Sequence, residues 1–411
     1  MTTTDVHIPA VTAPEPHFVW PVVDEATLEA VRAQLVESVS VYDRSGVVAR
    51  VEDALARWHG VRHAVLMSSG TCALHAAYVA AGVGPGDEVI VPAYTFFATA
   101  SPLLQTGATP VLVDCDERGN LDPARVADAV TSATRAIVVT HMWGLPADVA
   151  ALRAIADTRG LLLVEDTSHA FGASVDGRPV GAFGDLAAQS LQGQKPLTGG
   201  EGGVLLTDDD ELYYRGVAIA HYNVRCKREI PATHPLARYA VTGLGLKWRI
   251  HPAAAAMVEQ QLGVHDAVRS GRDACAARMA ARLRRLPGVE VLLPREGEQG
   301  SWYALVLRLD DALLAHVDAD TLVERLHREG AVEVDRPGST RPLAQLPLFQ
   351  DPGGALPAYA GRSGARPEDY PAANDFFDRT LKLPVWHRAA DVPVVDQYLD
   401  AFDKVWAELG L

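Results

Sequence analysis

The 411-residue chain, 48% hydrophobic and 22% charged, is long enough for two domains and a sizeable core. Its formal net charge of −15 excludes a broad nucleic-acid-binding surface, but not a local phosphate pocket made of backbone amides. The four cysteines, Cys72, Cys115, Cys226 and Cys275, form no CxxC and no Cys/His cluster. That excludes a disulfide framework and a structural metal site, and fits free thiols in a reducing cytoplasm.

In chain order, Met1–Pro16 is rich in Thr and Pro, with neither a basic region nor an apolar run. It reads as part of a loose arm over residues 1–20, not as a signal peptide. No stretch approaches the ~18 apolar residues of a membrane span. Seven short apolar runs follow: His63–Ser68, Glu88–Ala93, Thr109–Asp114, Ala136–His141, Leu161–Asp166, Leu186–Leu191 and Gly203–Asp208. Helical patterns over Cys72–Ala81, Asp122–Val130 and Ala147–Thr158 separate several of them. Alternating strands and helices predict an α/β domain, a seven-stranded, mostly parallel sheet with helices on both faces. It is placed at residues 21–255. An Ala- and Gln-rich helix at Pro252–Val264 leads toward a second, Arg-studded one near Ala267–Leu286. A smaller α+β domain, 256–411, is read from a strand at Ser301–Leu309 and helices at Ala319–Glu329 and Val394–Leu409. The Pro-, Gly- and Ser-rich segment Arg336–Arg366 reads as a long loop, of the kind that often carries function.

Only five of the 37 basic residues are lysines. One, Lys195, sits in Ser190-Leu191-Gln192-Gly193-Gln194-Lys195-Pro196-Leu197-Thr198-Gly199-Gly200. A chain that uses Arg for its ordinary positive charges retains here an amine, which can lose its proton and attack a carbonyl. Lys195 is therefore read as a Schiff-base lysine or as a surface lysine in a Gly-rich loop. Four other clues fall at predicted strand ends, where ligands of open α/β sheets sit. Ser68-Ser69-Gly70-Thr71 is either a helix N-cap or an anion site. Tyr94-Thr95-Phe96-Phe97 offers a ring to stack on a planar ligand, or a core aromatic. Asp166, with His169 three residues on, is a helix cap or a carboxylate that keeps a pyridine nitrogen protonated. Ser190 could donate to the same phosphate. Anion site, stacker, pyridinium partner and Schiff-base lysine together are what pyridoxal 5′-phosphate requires.

These stretches, in this order and spacing, resemble the DegT/DnrJ/EryC1/StrS family of sugar and cyclitol aminotransferases. The resemblance runs from about Ser45 to the C-terminus through SSGTCALHAAYVAAGVGPGDEVIVPAYTFFATA, GATPVLVD, THMWGLPADV, VEDTSHAFGA and SLQGQKPLTGGEGG. It implies the fold-type I pyridoxal-phosphate architecture and Lys195 as the lysine that carries the cofactor. It makes Gly70, Thr71 and Ser190 the phosphate ligands, Phe96 the ring stacker, Asp166 the pyridine-nitrogen partner and His169 the contact to the cofactor's 3-hydroxyl. Three departures stand out. Thr167 and Ser168 follow Asp166, where the family commonly has small residues. Lys247-Trp248-Arg249 replaces a stretch near Asn-Tyr-Arg that usually reaches the phosphate of the neighbouring subunit, which leaves Lys247 or Arg249 for that role. Gln192 stands where a His is frequent and leans toward the cyclitol branch.

The resemblance implies ping-pong transamination in specialised, antibiotic-type biosynthesis. Glutamate or glutamine is the amino donor, a keto-sugar or keto-cyclitol the acceptor, and a homodimer with shared active sites the assembly. Another pyridoxal-phosphate reaction on a specialised metabolite stays open, as does a non-catalytic cofactor-binding regulator. Relatives that are dehydratases carry His in place of the lysine, which Lys195 opposes. A nicotinamide-binding reading fails because no GxGxxG follows the first strand. The acceptor pocket is expected from His221–Gly245 and Arg336–Gln350.

Overall fold

The computed structural model describes residues 7–411; the first six residues of the predicted arm lie outside it. Seven strands form the central sheet: β1 (His63–Met67), β2 (Glu88–Pro92), β3 (Thr109–Val113), β4 (Thr134–Thr140), β5 (Leu162–Asp166), β6 (Leu186–Ser190) and β7 (Gly203–Thr207). Their order is β1-β7-β6-β5-β4-β2-β3. Only β7 runs against its neighbours, pairing antiparallel with β1 and β6; the other pairings are parallel. A parallel sheet is covered on both faces, so its strands are apolar throughout. Successive side chains then feed opposite layers. Val65 and Met67 enter the core that holds Leu74 and Tyr78, while Ala64 and Leu66 face Val51 and Leu55. Likewise Val138 and Val164 point one way, Ile137, Val139 and Leu163 the other.

A second core surrounds the three-stranded antiparallel sheet of Val289–Leu292, Leu305–Leu309 and Thr380–Leu383. Leu305, Leu307 and Leu381 pack there on Leu399, Phe402 and Trp406 of the last helix, Val392–Glu408. One helix, Pro252–Leu283, joins the cores where the sequence suggested two. Its Ala255 and Val258 lie with Val51 and Leu66, its Met279 and Leu283 with Leu305 and Phe402.

Two early helices, Glu25–Glu37 and Gly46–His59, have no counterpart among the sequence expectations. The second buries Val47, Val48, Val51 and Leu55 and stops at Gly60, whose φ of 71° forms a left-handed cap. The strand expected from Ser301 begins at Leu305. Within the Pro- and Gly-rich loop, Thr340–Pro342 pairs antiparallel with Tyr94–Phe96 and pins the loop beside the sheet. The arm is not loose over its described part. The Val11 N–H donates to the Glu329 carbonyl at 2.9 Å and Val11 joins the second core. The Trp386 indole N–H donates to the His17 carbonyl at 2.7 Å. No helix among the described residues is long and apolar enough to cross a membrane.

Candidate active site

The carboxyl ends of β1, β4, β5 and β6 open on one cavity of about 380 Å³, within the range of small-ligand sites. After β1, the Ser69 hydroxyl accepts the Cys72 N–H at 3.1 Å and the Ser69 carbonyl accepts that of Ala73, capping the helix Gly70–Ala80. The Gly70 and Thr71 N–H groups keep no acceptor among the described residues, and they line the cavity. Gly70 is required by a close approach. A Cβ there would lie 2.7 Å from the Ser190 Cβ, well inside van der Waals contact. The missing side chain thus brings a helix N-terminus, with its partial positive charge, against the hydroxyl that ends β6.

Asp166 ends β5 and is 4% exposed. Its Oδ2 accepts the Thr99 hydroxyl at 2.8 Å and its Oδ1 the Ser168 N–H at 3.1 Å. Thr99 belongs to a hydroxyl cluster with Thr95 and Thr140, at 2.8 and 3.4 Å. These bonds orient the carboxylate, which makes no ion pair among the described residues. The Ser168 hydroxyl accepts the Ser190 N–H at 3.1 Å. The departure at that position therefore ties the ends of β5 and β6 together.

Lys195 projects its amine to 4.6 Å from the Tyr303 ring centroid and 5.9 Å from that of Phe96. Burial of the amine among these groups pushes its pKa down to about 8, and the Asp166 carboxylate opposes that shift. The residue as a whole is half-buried. His169 stacks on Tyr303, centroids 4.1 Å apart. Its burial and the nearby lysine hold the imidazole well below its ordinary pKa, and its Nδ1 is buried without a partner. The site therefore holds a readily deprotonated amine, a fixed carboxylate, a neutral imidazole with an unused nitrogen and an open helix N-terminus.

The fold brings Gly70, Thr71, Phe96, Asp166, His169, Ser190 and Lys195 into this one cavity. Arg249 is not among them. It lines a separate cavity of about 230 Å³ with Tyr42, Tyr222, Asn223 and Val224, its guanidinium 5.6 Å from the Tyr222 ring centroid. Lys247 is exposed nearby. The sequence reading missed Thr99, Tyr303 and Trp20. Thr99 lies only three residues past Phe96, in a run of small and hydroxylic residues that could have prompted a search for a partner to Asp166. The Trp20 indole N–H donates to the Lys195 carbonyl at 2.9 Å, a contact for which the sequence carries no local signal.

The sequence pattern of the DegT/DnrJ/EryC1/StrS aminotransferase family matches residues 23–396. The chain is 34% identical over 351 residues to the dTDP-3-amino-3,4,6-trideoxy-alpha-D-glucose transaminase of Streptomyces venezuelae, covering 84% of this chain and 83% of that one. It is 38% identical over 287 residues to the L-glutamine:2-deoxy-scyllo-inosose aminotransferase of Streptomyces paromomycinus, covering 68% and 66%. The crystal structure of an aminotransferase from Psychrobacter cryohalolentis superposes with a TM-score of 0.84 at 27% identity, over 96% of this chain and 100% of that one.

Proposed function

The chain belongs to the DegT/DnrJ/EryC1/StrS aminotransferase family, and on that premise we propose that it moves an amino group from glutamine or glutamate to a keto-sugar or keto-cyclitol, with pyridoxal phosphate seated in the cavity around Lys195. One observation carries the reading. The Lys195 amine, its pKa brought down to about 8, shares a cavity with a fixed carboxylate and an open helix N-terminus. The residues fit the cofactor. Gly70, Thr71 and Ser190 would hold its phosphate through backbone N–H groups and a hydroxyl. Asp166 would hold the proton on its ring nitrogen. The His169 Nδ1, buried and unpartnered, is free to meet a polar substituent of the ring.

When bound, the cofactor supplies the electron sink that makes the donor's Cα–H acidic. Lys195 does the proton work. Its Nζ would take the donor's Cα proton, and its lowered pKa keeps a neutral fraction ready for that near pH 8. Asp166 is held in place beside the reacting system by Thr99 and Ser168. Phe96 and Tyr303 shield the amine from water on two sides. In the amino-donor half-reaction without acceptor, glutamine or glutamate should yield one equivalent of 2-oxo acid per chain, with loss of the visible absorption band. Cofactor-loaded protein that releases no oxo acid with any amino donor would favour the regulatory alternative.

The position of Arg249 supports a dimeric assembly. Its cavity is lined by exposed Tyr222, and the segment that follows exposes Tyr239, Val241, Leu244 and Leu246, apolar groups suited to a second copy of the chain. A two-fold dimer would place this patch against its own counterpart and bring Arg249 to the partner's phosphate site. Mixing Lys195→Ala with Arg249→Ala protein should then restore up to about a quarter of wild-type activity, by statistical pairing of shared sites. Verified subunit exchange with no recovery would reject Arg249 as the bridging cation, and Lys247→Ala in the same mixture would test the other candidate. The division at residues 255/256 and a cytoplasmic location are part of the same proposal, the latter supported by four cysteines that form no disulfide.

A further inference from the structure

A second, outer cavity of about 510 Å³ continues the catalytic one; Gln194, Tyr303, Ser339 and Thr340 line both, and Trp20 of the N-terminal arm forms part of its wall. The lysine loop and the arm meet at this junction, where the Trp20 indole N–H donates to the Lys195 carbonyl at 2.9 Å. The peptide unit between Lys195 and Pro196 has no N–H of its own, so that carbonyl is the one polar handle by which its plane can be fixed. The proline also steers Lys195 away from helical backbone. On the other side of the residue, the Lys195 N–H donates to the Gln192 carbonyl at 2.9 Å, and the Gln194 N–H to the Gln192 side-chain oxygen at 2.9 Å. The backbone that carries the reactive amine is therefore held at both ends, once by its own turn and once by a residue 175 positions earlier.

Trp20 is itself clamped. The guanidinium of Arg272, a buried residue, lies 4.3 Å from the indole ring centroid, a favourable cation–π contact. His387 meets the ring edge to face, centroids 5.7 Å apart. The arm that leads to Trp20 is tied to the elements of the second core. The Gln397 side-chain oxygen accepts the N–H groups of Thr12 and Ala13 at 2.9 and 3.1 Å, and the His17 Nδ1 shares a hydrogen bond of 2.8 Å with the Tyr398 hydroxyl. Phe18 lies edge to face on Trp386, centroids 5.7 Å apart. One end of this strap is anchored on the last helix, Val392–Glu408, and the other closes on the loop after β6.

We propose that Trp20 is a positioning residue for the amino-transfer site: through the Lys195 carbonyl it sets the direction in which the lysine side chain leaves its loop, and so keeps the amine between Tyr303 and Phe96. The proposal rests on the reading of Lys195 as the cofactor lysine and adds to that site a residue supplied by the arm. The effect is geometric. An amine that takes a proton from one carbon must stay at one place, and small displacements cost rate steeply. Released from the indole, the Lys195–Pro196 peptide plane is free to turn, and the amine reaches positions nearer water. Desolvation is the main cause of its lowered pKa, so the midpoint then climbs back toward that of an ordinary lysine.

Trp20→Phe tests it, because the phenyl ring keeps an aromatic face for Arg272 and for the cavity wall while the N–H is lost. The substitution leaves in place the titratable groups that share the amine's cavity, Asp166, His169, Glu201 and Tyr303, and those beside the indole, Arg272 and His387. It also leaves in place the cation that the partner subunit brings to the site in the proposed dimer. A shift in the amine's titration therefore reports where the amine is. In the full chain freed of cofactor, the midpoint for acylation of Lys195 against pH should rise from about 8 by about one unit. In the loaded enzyme, the donor half-reaction at saturating donor should slow by about tenfold to a hundredfold, with the acceptor KM near that of wild type. A second variant carries benzothienylalanine at position 20, which keeps the fused rings and puts sulfur in place of the N–H. It should raise the midpoint in the same way, and it secures the test if the smaller phenyl ring lets the arm unfold. An unmoved midpoint in either folded variant overturns the proposal and leaves Trp20 as cavity wall alone. A raised midpoint with the cofactor attached to a different lysine would instead reject the reading of Lys195 and leave the Trp20 contact standing as a control on that amine.

Discussion

Replacing Lys195 by arginine should abolish transamination as completely as replacing it by alanine, a loss on the order of 10⁴-fold or more for a residue that is both attachment point and proton carrier. Charge alone would predict that arginine rescues. Guanidinium stays protonated and forms no imine, so a positive charge in the same loop is of no use to the chemistry. The structure adds a reason. The Lys195 amine lies between Tyr303 and Phe96, and its pKa of about 8 reflects burial working against Asp166. A permanent cation placed there would be desolvated with no neutral form to escape to. Turnover of Lys195→Arg and Lys195→Ala with glutamine and a keto-cyclitol checks this, and activity of either within tenfold of wild type would reject the role.

Asp166→Asn should still load cofactor but slow the donor half-reaction by about 10²–10³-fold, the usual scale for removing one electrostatic group from a transition state. The substitution is nearly isosteric: the amide oxygen can still accept the Ser168 N–H, and the amide NH2, in place of the other oxygen, can donate to the Thr99 hydroxyl, so the loss reports charge and not collapse. A second effect gives the sign independently. Asp166 raises the Lys195 pKa; without it the neutral amine is favoured, and the midpoint should move below about 8. The rate at which cofactor-free protein is acylated at Lys195, followed against pH, measures that midpoint. Single-turnover rates near wild type together with an unmoved midpoint would reduce Asp166 to a structural cap.

The parts of this site that were legible in the sequence hang on strand ends. A β-branched apolar run gives away its strand, and the polar residues that close it, Ser69-Gly70, Asp166 and Ser190, then fall at the same edge of a parallel sheet. Other parts carry no periodic signal. The helix Glu25–Glu37 buries only Thr27 and Gln34 and leaves Leu28, Leu35 and Val36 exposed, so its apolar positions do not mark its packed face. Tyr303 sits in an apolar run that reads as strand from Ser301, yet Trp302 takes a positive φ of 57° and the ladder starts only at Leu305. The bend leaves the tyrosine ring over the lysine. Trp20 lies in a segment whose composition suggests a loose chain, and its docking depends on the distant partners Arg272 and Lys195. The acceptor region was half legible. Gly338, Ser339 and Thr340 of the predicted Arg336–Gln350 segment line the outer cavity, whereas Tyr222, Asn223 and Val224 of the His221–Gly245 segment face the Arg249 cavity instead.

The measurement that bears most directly on the central claim is borohydride reduction of the cofactor-loaded protein, followed by proteolysis and mapping of the stable adduct. With five lysines in the chain, the outcome is unambiguous. One pyridoxyl group per chain, carried by Lys195 in the Gly-rich loop after β6, is the predicted result. A stoichiometric adduct on Lys227, Lys247, Lys382 or Lys404 with Lys195 unmodified, or no adduct on protein that is visibly loaded, would contradict it.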